Sequence, residues 1–257
     1  MKSALFLRHQ IIATFILVTI STPASAEKVL IAVAANFAGA AEIIAQNFNR
    51  ETGNDAQTTT GSTGKLYSQI TEGAPFDVLL SADAATPARL ETESFAVPGS
   101  VFTYAVGKLT LWSADPARIG PDPKLALTDA NLRFLAIANP DLAPYGAAAR
   151  EVLEGLGVWD GLQSRLVMGQ NIGQTFGLVQ SGAADAGFVA RSVLDAPDAD
   201  FGGSRWDVPD DLFAPLQQDA ALLMAGADNP AAVAFLQYLA GADARATILS
   251  FGYGVPE

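Results

Sequence analysis

The 257-residue sequence contains no cysteine and only one histidine. Without cysteine there is no disulfide, no thiolate metal site and no thiol to carry a lipid. The histidine, His9, lies in a stretch that reads as a secretory leader. Lys2 and Arg8 give it a positive start, Ile11 to Ile20 a short apolar core, and Ala24-Ser25-Ala26 a cleavage signal. An uncleaved anchor is the competing reading, but the apolar stretch is short for a bilayer. Cleavage before Glu27 removes residues 1–26 and leaves 231 residues with neither Cys nor His. Zinc, copper and haem sites lose their usual ligands, and Ser-His-Asp and Cys-His mechanisms lose their base. Positive charge is also scarce, at 15 Lys+Arg against 27 Asp+Glu. Loss of Lys2 and Arg8 takes the net charge from −12 to −14. That balance argues against nucleic acid and anionic membranes as partners. No other segment reaches 18 apolar residues, so the mature chain is expected to be soluble. A secreted binder without a lipid anchor is retained near the cell only by an outer barrier, which favours the periplasm.

The order of patterns in what remains is strand, helix, strand, helix. Val29 to Ala35 is an apolar run, and Ala41, Ile44, Ala45 and Phe48 then recur at helical spacing. Asn36, between the two, stands where an N-cap belongs. A weak strand near 55–60, a helix from about 66 to 72, a strand at 77–81 and a helix at 84–93 continue the alternation. Phe102 to Ser113 is long enough to leave one lobe and enter another. Pro116, Pro121 and Pro123 mark a loop. Strands at 134–138, 166–168 and 186–190 alternate with helices at 144–154, ended by Gly155, and 172–181. Residues 195–212 read as acidic surface loop. A strand at 220–224 returns, followed by helices at 230–239 and 243–251. Alternation of this kind marks parallel sheets covered by helices. Two α/β halves with a returning C-terminal segment predict lobe 1 from 27–107 plus 216–257 and lobe 2 from 108–215, joined by two crossover strands.

Four strand-to-helix turns stand out: Ala35-Asn36, Gly61-Ser62-Thr63-Gly64, Ala143-Pro144-Tyr145-Gly146 and Asn171-Ile172-Gly173-Gln174. Each offers N–H groups free of intrahelical partners at a helix start, where anions are favoured. Two fall in each half, so facing lobes can aim all four at one cleft. Each also has an ordinary reading: Asn36, Ser62 and Thr63 as simple caps, Pro144 as a helix start, Ile172 as core. Other motifs fail. Thr59 and Leu66 break a phosphate-binding loop around Lys65, and Trp206 breaks a nucleophile elbow at Gly202 to Arg205. Asp77, Asp83 and Asp185 read as turn and cap residues, and no calcium-loop spacing is present.

Val33-Ala34-Ala35-Asn36-Phe37, Gly61 to Tyr67, Gly73 to Val78, Ser81-Ala82-Asp83, Ala143 to Gly146, Phe102 to Ser113 and Ala183 to Val189 together resemble the periplasmic molybdate-binding proteins (ModA) of ABC importers, over essentially the whole mature chain. The resemblance implies an α/β, bilobal type II periplasmic binding fold, closing on tetrahedral molybdate or tungstate. It implies no cofactor and no metal bound by direct ligation, only the oxyanion held by amides and small polar side chains. Carried over, Asn36 and Thr63 are the first-lobe ligands, Tyr145 and Ile172 the second-lobe ones, with Ala35 and Ser62 as further candidates. Family members with a hydroxyl residue at position 35 or 36, or a binding tyrosine at position 190, differ from this chain, so its shell is expected to lean on Asn36 and Tyr145. The implied partners are the oxyanion and an inner-membrane ABC permease, with no nucleic acid, and the protein is expected to be a monomer. A receptor of the same fold for sulfate or Fe(III) is the alternative; the five tyrosines are scattered, unlike an iron site. An enzyme lacks any convincing acid pair here.

Overall fold

In the computed structural model, residues 26–256 are described; the leader call falls on residues 1–26 and so lies, Ala26 apart, outside them. Ten strands form two five-stranded sheets. The chain runs β1 (Lys28–Ala34), a 3-10 turn (Ala35–Phe37), α1 (Ala38–Thr52), β2 (Asp55–Gly61), α2 (Thr63–Thr71), β3 (Val78–Leu80), α3 (Ala85–Thr92), β4 (Phe102–Gly107) and β5 (Leu109–Ser113). It continues through α4 (Pro123–Thr128), β6 (Leu135–Ala138), α5 (Pro144–Gly155), α6 (Trp159–Leu162), β7 (Leu166–Gly169), α7 (Ile172–Gln180), β8 (Ala186–Ala190), α8 (Arg191–Leu194) and β9 (Ser204–Asp207). It closes with β10 (Leu216–Leu222), α9 (Pro230–Leu239) and α10 (Ala242–Ser250).

The first sheet has the order β2-β1-β3-β10-β4 and the second β7-β6-β8-β5-β9. In each, three strands run parallel and the returning strand, β10 or β5, is antiparallel to its neighbours. The period-2 pattern of β1 explains its layers. Val29, Ile31 and Val33 pack with Ile44 and Phe48 of α1 and Phe235 of α9 on one face. Ala32, facing the other way, packs with Leu66 and Ile70 of α2 and Leu90 of α3. The second sheet repeats this, with Leu111, Ile137 and Phe188 against α5 and Trp112, Ala136 and Val189 against α7. Alternate strand residues thus fill two helix layers, and the sheet is buried on both sides.

The chain passes between the sheets at Lys108 and again between β9 and β10. The long run from Phe102 to Ser113 is therefore two strands, one in each sheet. A β-bulge sits at the second passage: Gln218 pairs with Ala105 and Asp219 with Thr103, which leaves Tyr104 as the extra residue.

Several expectations need correction. Asn36 is not an N-cap: it is the middle residue of a 3-10 turn, and neither that turn nor α1 has a side-chain cap. Its side chain points inward to stronger partners, described below. Pro121 and Pro123 do not mark only loop, because Pro123 opens α4 with Asp122 accepting from Lys124 N at 2.9 Å; proline suits a first turn, where its missing N–H costs nothing. Gly155 is the last residue of α5, as expected, but it does not supply the left-handed turn; positive φ comes two residues on, at Gly157, at +70°. The 195–212 segment holds an edge strand, β9, paired to β5 through alternating half-buried and exposed residues.

Asp185 ties the second lobe together at the start of β6. Its carboxylate accepts from Arg133 N (2.7 Å), Arg133 Nη2 (2.6 Å) and Phe134 N (3.2 Å). Burial pushes its pKa up, but the Arg133 guanidinium and the two N–H groups outweigh that and hold it below the ordinary value. A depressed folded pKa gives stability that is present above the unfolded value of about 3.9 and lost as pH falls through the folded one. Asp185→Asn is expected to cost about 1–2 kcal/mol near pH 7, with the gap to the wild type narrowing as pH falls below the unfolded carboxylate value of about 3.9; urea denaturation across pH 3–7 measures both.

Candidate functional site

Four helix starts converge between the lobes because each follows the carboxyl end of a parallel strand. The 3-10 turn follows β1, α2 follows β2, α5 follows β6 across a short loop, and α7 follows β7. That edge is where open α/β sheets carry their sites. One small cavity is lined by all six expected residues: Ala35, Asn36, Ser62 and Thr63 from the first lobe, Tyr145 and Ile172 from the second. Gly61, Ala82, Ala143, Pro144 and Asn171 complete most of the wall. Sequence reading missed Ala82, which follows β3. Its volume is about 10 Å³, what one water needs and far below the roughly 300 Å³ of an organic-ligand pocket. At that size it excludes a sugar or an amino acid. Larger spaces between the lobes, of about 360 and 270 Å³, lie on either side of it.

The wall is rich in donors that the protein does not use. Among the described residues, the N–H groups of Thr63, Tyr145 and Ile172 have no hydrogen-bond acceptor. All three lie in first helical turns, which leave such groups unpaired. The Thr63 hydroxyl accepts from Ala82 N at 3.2 Å and the Ser62 hydroxyl from Lys65 N at 3.4 Å. Both therefore keep their protons for another acceptor. Ser62 does act as an N-cap, as does Asn171, which accepts from Gln174 N at 2.9 Å. Among the described residues, no lysine, arginine or carboxylate lines the cavity. Burial first, and the neighbouring Tyr253 phenol second, push the Tyr145 phenol well above its ordinary pKa, so it stays neutral.

Two hydrogen bonds between the lobes flank the cavity. On one side Gly64 N donates to Leu142 O at 2.9 Å. On the other the Ser192 hydroxyl donates to Asn36 O at 3.0 Å, and the Tyr253 hydroxyl donates to the same carbonyl at 2.6 Å. The lobes are thus closed on each other. Asn36 Nδ2 donates to Gln218 Oε1 at 2.9 Å and to the Tyr253 hydroxyl at 3.3 Å. Its amide nitrogen faces the interior, which is why it caps nothing. Sequence reading missed Gln218, Ser192 and Tyr253. No local signal singled out Gln218, which stands in β10 between two other polar residues, Gln217 and Asp219.

These features define the class: a bilobal solute-binding protein of the type II periplasmic fold, with a neutral, donor-lined site between its lobes. The chain belongs to the bacterial extracellular solute-binding protein family, whose model matches residues 29–254. It is 47% identical over 247 residues to the molybdate-binding protein ModA of Rhodobacter capsulatus, covering 96% of each chain. It is 48% identical over 232 residues to ModA of Azotobacter vinelandii, covering 90% of this chain and 92% of that one. The solved structure of an Azotobacter vinelandii periplasmic molybdate-binding protein superposes with a TM-score of 0.86 at 39% identity, covering 89% of this chain and all of that one. Like these relatives, the chain is a binding protein and not an enzyme.

The start of α5 is seated tightly. A Cβ on Gly146 would overlap Ala138 O and come 2.8 Å from Ala138 C, both backbone atoms of β6. Gly146→Ala must push the helix start away from the sheet, and with it the Tyr145 N–H. Overpacking of this kind costs about 1–3 kcal/mol; at roughly 2–4 °C per kcal/mol for a chain of this size, a melting temperature lower by about 2–12 °C is expected in a scanning calorimeter.

Proposed function

We propose that the protein is a periplasmic receptor that binds molybdate, and tungstate as its close analogue, and delivers it to an ABC permease of the inner membrane. The observation that carries this reading is a small cavity between the lobes, walled by unused neutral N–H donors from both and by two hydroxyls from the first. A fully deprotonated tetrahedral oxyanion only accepts hydrogen bonds, so it matches such a wall. Asn36, Thr63, Tyr145 and Ile172 are the ligands in this reading, with Ala35 and Ser62 adjoining them. Tyr145 and Ile172 contribute main-chain N–H groups, Thr63 its N–H and hydroxyl, and Asn36 its main-chain N–H at the turn after β1. The names and identities of the relatives support the same ion. Lobe 1 is assigned 27–107 plus 216–257 and lobe 2 108–215, and the mature chain works as a monomer after removal of residues 1–26.

The chemistry gives selectivity without a charged partner. Hydrogen bonds to a charged group are worth about 1.5–3 kcal/mol each, and several reach the roughly −8 kcal/mol of micromolar binding. Phosphate carries a proton near neutral pH and finds no acceptor in this wall. Sulfate has the same charge on shorter bonds and leaves some donors unpaired. Surface acidity acts weakly at this range, because salt screens it beyond about 8 Å.

Titration calorimetry of the mature chain is expected to show micromolar or tighter molybdate binding and at least 100-fold weaker sulfate binding; equal affinities refute the molybdate reading, and sulfate preference supports a sulfate receptor instead. Thr63→Ala removes one donor and leaves Ala82 N unpaired, so molybdate is expected to bind about 10- to 100-fold more weakly. Since no lining group titrates near neutrality, the wild-type affinity is expected to stay within about twofold from pH 6.5 to 9 while the anion keeps its charge.

A further inference from the structure

Gln218 is a fully buried polar side chain in β10, beside the bulge at the second passage between lobes. Its carboxamide meets residues of both lobes. Oε1 accepts from Asn36 Nδ2 at 2.9 Å and lies 3.1 Å from the Tyr104 hydroxyl, which also donates to Ser81 O at 2.9 Å. Nε2 donates to the Tyr145 hydroxyl at 3.2 Å. The amide is therefore held one way round, with its oxygen toward the first lobe and its nitrogen toward the second. Gly107, at the first passage, closes the remaining side: a Cβ there would overlap the Tyr145 hydroxyl and come 2.6 Å from Gln218 Nε2.

A buried amide bonded through both its oxygen and its nitrogen fixes its neighbours, because turning any one of them strands a polar group in the interior. Asn36 and Tyr145 are the two cavity residues that Gln218 touches, one from each lobe. Asn36 is further clamped through its carbonyl by Ser192 and Tyr253, so its side chain and main chain cannot move independently. A neutral amide also suits this place better than a carboxylate, which would set a negative charge behind a wall meant for an anion.

We propose that Gln218 is the positioning residue of the site. It holds the Asn36 turn in the first lobe and the Tyr145 helix start in the second at one separation, so that their main-chain N–H groups converge on the anion. It does not touch the ion itself. The proposal rests on the oxyanion-receptor reading above.

The test is a double-mutant cycle on the mature chain, read by molybdate calorimetry with sulfate as the second titrant. Gln218→Met keeps the length and removes the amide; Asn36→Ala removes its partner but keeps the main-chain N–H. Each is expected to weaken molybdate binding about tenfold and to shrink the molybdate-to-sulfate ratio, because an unfixed shell discriminates less. The double variant is expected within threefold of the weaker single variant, since both break one link. A double variant at the product of the two losses, or Gln218→Met with wild-type affinity and ratio, overturns the assignment. If Gln218→Met does not fold, Gly107→Ala carries the same cycle, because its methyl overlaps the Tyr145 hydroxyl and comes 2.6 Å from Gln218 Nε2, so that link must part. A wild-type chain that binds neither anion refutes the receptor reading and is seen before any variant is made; a binding wild type with additive variants refutes the role of Gln218 alone.

Discussion

The structure turns on a main-chain N–H that has nowhere to bond within its own helix. Every helix start carries such groups, and most proteins satisfy them with caps or water. Here the starts of α2, α5 and α7 and the 3-10 turn after β1 bring them to one point. Where side chains do cap, at Ser62 and Asn171, they satisfy the second or third turn position and leave the first N–H free. The alternating βα order is what makes this convergence possible, since it sends every parallel strand of each sheet to the same edge. The second sheet then faces the first.

Neutral donors have a particular advantage for a dianion. A lysine or arginine would bind any anion of that size by charge. A fixed set of N–H and O–H groups distinguishes ions by how many acceptors they present and how far apart those lie. That discrimination requires a wall that does not adapt. The buried amides and phenols between the lobes supply the stiffness: Tyr104, Tyr145 and Tyr253 are all pushed up from the ordinary phenol pKa, chiefly by burial, and remain neutral donors or acceptors. Phe37 packs edge-on to both Tyr104 and Tyr253, at 4.7 and 5.4 Å between ring centres, and seals the network from the first-lobe core.

The acidic surface plays a separate part. Its carboxylates form ion pairs at the rim of the second lobe, such as Asp195 with Arg191 and Arg205 at 2.6 and 2.7 Å. Exposed pairs of this kind contribute little to stability. Among the described residues the cavity wall itself carries no charged side chain.

Much of this was legible in the chain. Helical and strand periodicity located most elements, and the run of turns after Ala34, Gly61, Ala138 and Gly169 located the first-turn donors, because those features depend on neighbours within a few residues. The absence of Cys and His from 27 onward already removed most catalytic and metal chemistries. What sequence could not decide was where side chains turn. Asn36 has the composition of a cap, yet its amide bonds Gln218, 182 positions away, and Tyr253, 217 away. Local spacing favoured a cap; a buried acceptor in a distant strand won, because leaving Gln218 unpaired inside the fold costs more than leaving a helix end open to the cavity. The bulge at Tyr104, the edge strand β9 and the closure through Gly64 and Leu142 are likewise properties of pairing across space. Sequence determined which groups could offer free donors, and only the packing of two sheets determined that they line the same cavity.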